Sequence, residues 1–541
     1  MKKLAAALAL TLGVSLALAV PVAVPAAHAA TPHNTLIQAA HIDDIITLDP
    51  AEMYELSTYE VNGNVYENLV AINPHNTGEI LHKAAESWTV SDDGKTYTFK
   101  LRPGMKFQSG NPVTADDVVY SFQRLTALNK APAFLIQDNF GITPDNMKDT
   151  LQAVDPLTFK MVVDKAYAPS FVINVLCATN FAIVDSKLLK SKEAKQADGT
   201  NDWGNGRLKT NSAGSGPFMI TQWKPNEVIT MEANPNWYGP KPKLKRVVWR
   251  HIAEESSQRL LLESGDVDIA RNLSADQLDG LRAKGGFTFP ATAQNTNLYM
   301  GLNTKNKYLA DPKVREAIRY LVDYDGLAKT ALRDVWIVNQ TFLPNGVLGF
   351  IDSRPYKLDT DKAKALLAEA GYPNGFALTV NVASTEQDRM DVAQSLQSTL
   401  AKVGIQLKIL ASDAKTVITT YRARRHDMAL LTWGVDYFDP NTNMSFVVNT
   451  DNSDKPASKP LAWRNGWMDE AFNKQAAGLK MERDTEKRKA GYQEMIKEWQ
   501  PISPFAMMFQ YNWVDAVSSK VKNFFIGPSN EMTQYLTVSK E

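Results

Sequence analysis

The chain is 541 residues long, with 59 basic and 59 acidic side chains, 44% hydrophobic residues and one cysteine. That charge balance excludes a field suited to nucleic acid or to an anionic membrane surface. A single cysteine excludes an internal disulfide, and the length allows two or three domains around a large core.

The N-terminus pairs Lys2 and Lys3 with an apolar stretch from Leu4 to Val20, then Pro21, Pro25 and Ala27-His28-Ala29. This is the layout of a secretory signal peptide over residues 1–29, cut after Ala29. A retained anchor is the rival reading, which the two prolines and the A-x-A site disfavour. No cysteine near the cut offers a lipid attachment point, and no later stretch holds 18 consecutive apolar residues, so the remainder is expected to be soluble. Cys177 lies beside Val175, Leu176 and Ala178 and reads as a buried, inert thiol.

Strands and helices then alternate. Trp88-Thr89-Val90 and Tyr97 to Leu101 flank Ser91-Asp92-Asp93-Gly94, which predicts a hairpin. Thr114 and Asp117 mark a helix start, with Val118, Phe122 and Leu125 at helical spacing. Asp311-Pro312 opens another helix, whose apolar face is Val314, Ala317, Ile318 and Leu321. From 359 the pattern is βαβ. Asp359 or Thr360 caps a helix closed by Gly371, Leu378 to Val382 is a strand, and Asp391 to Val403 is a helix. Strands follow at 405–409 and 428–433. Such units predict an α/β architecture with a largely parallel sheet here and a differently built, hairpin-rich lobe before it.

The most telling octapeptide is Trp433-Gly434-Val435-Asp436-Tyr437-Phe438-Asp439-Pro440, directly after an apolar strand. Ligands of open α/β sheets collect at such strand ends. An acid between a tryptophan and a tyrosine, with little positive charge nearby, suits a primary amine. A surface turn closed by Asp439-Pro440 explains the same eight residues equally well.

The seven histidines show no i,i+4 pair and no Cys-type ligand spacing, so neither a metal site nor another cofactor is expected. G-x-S-x-G, P-loop and dinucleotide motifs are absent from the sequence, which leaves a secreted hydrolase the least favoured reading. The clusters Trp237-Tyr238 and Trp463 with Trp467 read as core or cleft wall.

Six segments in order carry a resemblance: LHKAAESWTVSDDGKTYTFKLRPGMKFQSGNPVTADDVVYSFQR at 81–124, GSGPFMI at 214–220, ANPNWYGPKPKL at 233–244, DPKVREAIRYLVD at 311–323, KAKALLAEAGYPNGF at 362–376, and WGVDYFDP. The chain resembles the extracytoplasmic solute-binding proteins of ABC importers, specifically the dipeptide/oligopeptide-binding family 5. The resemblance implies a bilobal periplasmic-binding-protein fold (class II, cluster C) with an extra subdomain. Domain Ia would comprise 30–73, 198–295 and 507–541, the subdomain Ib 74–197, and domain II 296–506. The hinge would lie near Asn295-Thr296 and Ala506-Met507, and the glycines of GSGPFMI would form a tight crossover turn.

It further implies a monomeric periplasmic receptor that captures short peptides and delivers them to an inner-membrane ABC permease. Asp436 would pair with the ligand ammonium, and the backbone of Trp433, Gly434 and Val435 would pair with an extended peptide. Tyr437 and Phe438 would continue that wall, and Tyr54 and Ser57 would face it from the other lobe. For the ligand carboxylate, the position six residues before Asp436, which is arginine in some relatives, is Leu430 here. The nearest counterpart of the dipeptide receptors' arginine is Arg389, with Arg422, Arg424 and Arg425 as substitutes. A nickel chelate, haem or an opine-like amine is the alternative ligand within the same family.

Overall fold

A computed structural model describes residues 31–196, 199–455 and 459–541; the expected leader, 1–29, lies outside them. The local signals translate directly into elements. Strands Ala85–Val90 and Thr96–Leu101 pair antiparallel, with Val90 opposite Tyr97. Helix Ala115–Leu128 starts where the Asp117 carboxylate accepts the Thr114 N–H at 2.8 Å. Asp311 caps Pro312–Arg319 through the Lys313 N–H at 2.8 Å. Of the two possible caps near 359, Asp359 is the one used, accepting from Lys362 at 2.9 Å.

Three larger sheets organise the chain. A four-stranded antiparallel sheet is built from 85–90, 96–101, 151–155 and 158–162. A seven-stranded sheet takes strands from 35–40, 218–251, 269–270, 287–288 and 516–518. A six-stranded sheet runs in the spatial order 336–338, 505–514, 291–302, 428–434, 377–383, 406–412. Separate apolar clusters fill each region, so the sequence-distant pieces are held by packing rather than by chain continuity.

The six-stranded sheet departs from the largely parallel one that the βαβ grammar predicts. Only 377–383 pairs parallel, with 406–412 and 428–434. The strands Ala291–Leu302 and Phe505–Val514 run antiparallel to their neighbours. Ala291–Leu302 arrives from the seven-stranded sheet and Phe505–Val514 leaves for it, so neither belongs to a βαβ unit that would impose parallel pairing. Sheet membership changes between Thr288 and Ala291 and again between Val514 and Ala516, whereas Ala506 and Met507 sit inside a six-stranded-sheet strand. The ladder between the two connecting strands slips between Ala293 and Asn297.

Buried ion pairs tie remote segments together. Arg124 on helix Ala115–Leu128 grips Asp49 at 2.6 and 2.5 Å, with Asn205 adding a third contact to Asp49 at 2.7 Å. The glycines at 214 and 216 lie against the carbonyl of Val65, which accepts the Gly216 N–H at 2.9 Å. A Cβ on Gly214 would stand 2.1 Å from that oxygen. Gly214→Ala is therefore expected to destabilise the protein by about 1–3 kcal/mol, as overpacking against backbone does. Urea titration will read this as a lowered midpoint at unchanged slope.

Candidate functional site

Strand Met428–Gly434 is apolar at its start because Met428, Ala429 and Leu430 are buried between helices and neighbouring strands. Along one edge it pairs with Ala291–Leu302 from Leu302 opposite Met428 to Thr296 opposite Gly434. Along the other it meets 377–383 only at Met428 and Ala429. Past Ala429 that second edge has no ladder partner among the described residues. Backbone donors and acceptors are thus open where the strand reaches the junction between the sheets.

The chain leaves the strand with the Val435 N–H donating to Asn295 O at 3.3 Å. Thr442 Oγ then accepts the Asp436 N–H at 3.2 Å and donates to Asp436 Oδ2 at 3.3 Å. From the opposite side the Tyr54 hydroxyl donates to Asp436 Oδ1. Among the described residues no lysine, arginine or histidine pairs with Asp436. Burial raises the pKa of this carboxyl above the ordinary value, and the Tyr54 and Thr442 hydrogen bonds oppose that rise. Burial, and then the nearby Asp436 charge, likewise pushes the Tyr54 hydroxyl well up.

Asp436 lies on two cavities. A small one of about 150 Å³ is lined by Tyr54, Tyr59, Thr296, Gly434, Val435, Phe438 and Glu531. A large one of about 830 Å³ takes Trp433, Asp436 and Tyr437, faced by Phe134, Asn139 and Lys480. Together they bring Asp436, Trp433, Gly434, Val435, Tyr437, Phe438 and Tyr54 to one place. Tyr437 and Phe438 present little of themselves there, being 7% and 6% exposed. The Tyr437 ring is anchored edge-on against Phe171 with centroids 6.1 Å apart, and its hydroxyl accepts from Asn441 at 2.8 Å.

Two expected residues are not brought there. Ser57 spends its N–H on Asp44 at 3.0 Å and its hydroxyl on His41 O at 3.4 Å, and it lines neither cavity. Arg389 sits on helix Gln387–Ala401, paired with Glu386 at 3.1 Å and Asp388 at 4.0 Å, and it too lines neither. Glu386 at the helix N-cap and Asp388 in the first turn meet its charge. Of the substitutes, Arg424 is occupied with the carbonyl of Asn452 at 3.2 Å and the Trp463 ring at 4.1 Å, and Arg422 and Arg425 line neither cavity.

The surface-turn reading of Asp439-Pro440 also fails. Asp439 is fully buried, forked onto Arg488 at 2.8 and 2.7 Å, and caps Pro440–Asn443 through the Asn441 N–H at 2.9 Å. Two acids three residues apart thus differ completely, one neutralised and one not. Sequence reasoning passed over Thr442, Asn139, Glu531 and Lys480. Each is an ordinary residue on a helix or turn, and only the packing of distant segments brings it to the cavities.

A cleft at the crossing between two sheets, walled by aromatics around an uncompensated acid, defines a ligand-receptor class of protein. Over residues 79–455 the chain matches the family described as bacterial extracellular solute-binding proteins, family 5. It belongs to that family, the solute receptors of ABC importers. It is 29% identical over 509 residues to the probable D,D-dipeptide-binding periplasmic protein DdpA of Escherichia coli (strain K12), covering 93% of this chain and 94% of that one. It is 28% identical over 370 residues to the glutathione-binding protein GsiB of the same strain, 68% of each chain. Among solved structures it superposes with TM-score 0.72 on the ABC transporter-associated periplasmic binding protein DppA from Helicobacter pylori in complex with peptide STSA, at 26% identity. That superposition covers 94% of this chain and 98% of that one. These relatives are binding proteins.

The two acids should separate cleanly in stability measurements. Asp439→Ala, which strands the buried Arg488, is expected to cost about 3–5 kcal/mol. Asp436→Asn should be as stable as wild type or more so at neutral pH. A raised carboxyl pKa in the folded state means the anion costs stability above that pKa. The advantage should shrink as the pH falls toward the ordinary carboxylate range. Chemical denaturation across pH checks both outcomes.

Proposed function

We propose that this chain is a periplasmic receptor that captures short peptides and passes them to an inner-membrane ABC permease, without performing chemistry. The observation carrying this reading is the Asp436 carboxylate, half-buried at the crossing between two sheets and left without a cation. A peptide ammonium would supply the missing charge. The open edge of Leu430–Gly434 would pair with the peptide backbone as an added strand. The D,D-dipeptide-binding name of one relative and the peptide held by a structural neighbour support the ligand class.

We further propose that the expected lobes close by bending in the paired strands Ala291–Leu302 and Phe505–Val514, where the ladder slips. The Tyr54–Asp436 hydrogen bond would then be one contact made across the closing faces. Residues 1–29 would direct the chain across the membrane and be removed, and the receptor would act as a monomer.

Asp436→Ala is expected to weaken binding of a free-amine tripeptide by about 2–4 kcal/mol, the scale of losing a desolvated charge partner. Affinity should also fall on acidification, beginning above the ordinary carboxylate range, because the raised Asp436 pKa brings protonation early. Calorimetry on wild type and variant tests both. N-acetylated peptides that bind as tightly as free ones would defeat the amine contact.

A further inference from the structure

The two cavities at the crossing differ in charge. The large one is lined by Lys459, Arg464 and Lys480 as well as by Asp436 and Asp451. The small one is lined by two acids, Asp436 and Glu531, and by no lysine, arginine or histidine. Glu531 reaches it from the short helical turn Asn530–Met532 near the end of the chain. Close backbone packing fixes that segment. The Asn295 N–H donates to Pro528 O at 3.2 Å, and a Cβ on Gly63 would stand 2.4 Å from Glu531 O.

Glu531 is half-buried, and the Ser529 hydroxyl donates to its carboxylate. Among the described residues no cation pairs with it. Lys83, which shares a further small pocket with Glu531, is taken by Glu67 at 3.4 Å. Burial raises the Glu531 pKa above the ordinary value, and the Ser529 hydrogen bond opposes that rise. The Tyr59 hydroxyl feels both acids: after burial and Tyr54, the charges of Glu531 and Asp436 push its pKa up. A neutral side chain gives independent support. Asn530 lines the small cavity and is 9% exposed, yet its amide makes no hydrogen bond among the described residues. Unlike the Asn139 nitrogen, its polar atoms keep access to open space. An enclosed amide left unpaired is unfavourable, so a polar ligand group belongs beside it.

We propose that Glu531 and the Asn530 amide form a second ammonium-binding point beside Asp436, so that the receptor selects ligands carrying two ammonium groups on one short chain. The chemical class is a diamino compound. It is either a peptide whose first residue bears an amine side chain, such as lysine, or a free diamine. With the α-ammonium on Asp436, as proposed above, the second ammonium would lie on Glu531; the assignment of Glu531 rests on that reading for the first ammonium only. A cavity of about 150 Å³ holds a group about the size of benzene, which suits an amine on a short carbon chain. Two carboxylates in one cavity repel each other and lose solvation, and a dication relieves both costs.

Calorimetry with Lys-Ala-Ala, norleucyl-Ala-Ala, N-acetyl-Lys-Ala-Ala and cadaverine tests this on wild type, Glu531→Gln and Glu531→Asp. Wild type should bind Lys-Ala-Ala about 10- to 100-fold more tightly than the norleucyl peptide, the scale of a charge-assisted hydrogen bond. If a free diamine is the ligand, wild type should instead bind cadaverine, and Glu531→Gln should weaken that binding by the same factor. Glu531→Gln should abolish the lysine preference, and Glu531→Asp, which keeps the charge, should retain part of it. Where Glu531→Gln fails to fold, Asn530→Ala carries the test: a reduced lysine preference upholds the subsite and an unchanged one overturns it. Wild type with neither lysine preference nor cadaverine binding, or survival of either at full strength in Glu531→Gln, also overturns it. N-acetyl-Lys-Ala-Ala separates the two readings. Binding equal to Lys-Ala-Ala removes the Asp436 contact, while a lysine preference lost in Glu531→Gln still upholds the Glu531 subsite. Wild type that binds none of these probes overturns both.

Discussion

The site is organised around a contrast between two carboxylates on one short segment. Asp439 is enclosed by protein and forked onto an equally enclosed Arg488, with Asn174 donating at 3.2 Å. That pair locks the loop after strand Met428–Gly434 to helix Thr485–Trp499 and to the helix carrying Asn174. Three residues earlier the same backbone presents Asp436, whose carboxylate receives hydrogen bonds only from the Tyr54 and Thr442 hydroxyls. A desolvated anion without a counter-charge is unfavourable on its own. Its retention makes physical sense when a ligand brings the charge, and the rigid Asp439 anchor fixes where that charge must sit.

Around this anchor the molecule joins two unlike sheets through two strands. Ala291–Leu302 and Phe505–Val514 pair along most of their length in the six-stranded sheet, and their continuations enter the seven-stranded sheet. Packed cores of buried side chains fill each side, and a further cluster joins Ile72 and Met532 to Phe342 and Trp499. The hydrogen bonds crossing the junction include those from Tyr54 to Asp436, from Thr77 Oγ to Gly346 O at 2.7 Å and from Arg282 to Asp334 at 2.8 Å. Contacts of that kind exchange readily for contacts with a ligand, which is what binding coupled to closure requires.

Much of the local structure was legible because it depends on near neighbours. The capping pair Thr114–Asp117, the Asp311 and Asp359 caps and the hairpin at 91–94 all act within a few residues. Sheet direction was not legible. The βαβ pattern after 359 correctly gave one parallel segment, but the strands that dominate the sheet come from remote sequence and run the other way. Arg389, expected at the ligand carboxylate, is instead paired with Glu386, its i−3 neighbour.

By itself the amino-acid sequence determined the family, the first hairpin, the presence and capping of several helices, and the strand that delivers Asp436, since periodicity, capping and a long matching segment are properties of the chain; the helix expected from Asp391 to Val403 spans Gln387–Ala401 instead. Tertiary structure alone decided which acid is neutralised and which cations line the cavity. Arg488 lies 49 residues from Asp439, and Asn139 lies 298 from Tyr437. Whether a charge is compensated depends on distances of a few ångströms, and those are set by how whole segments pack rather than by their order along the chain.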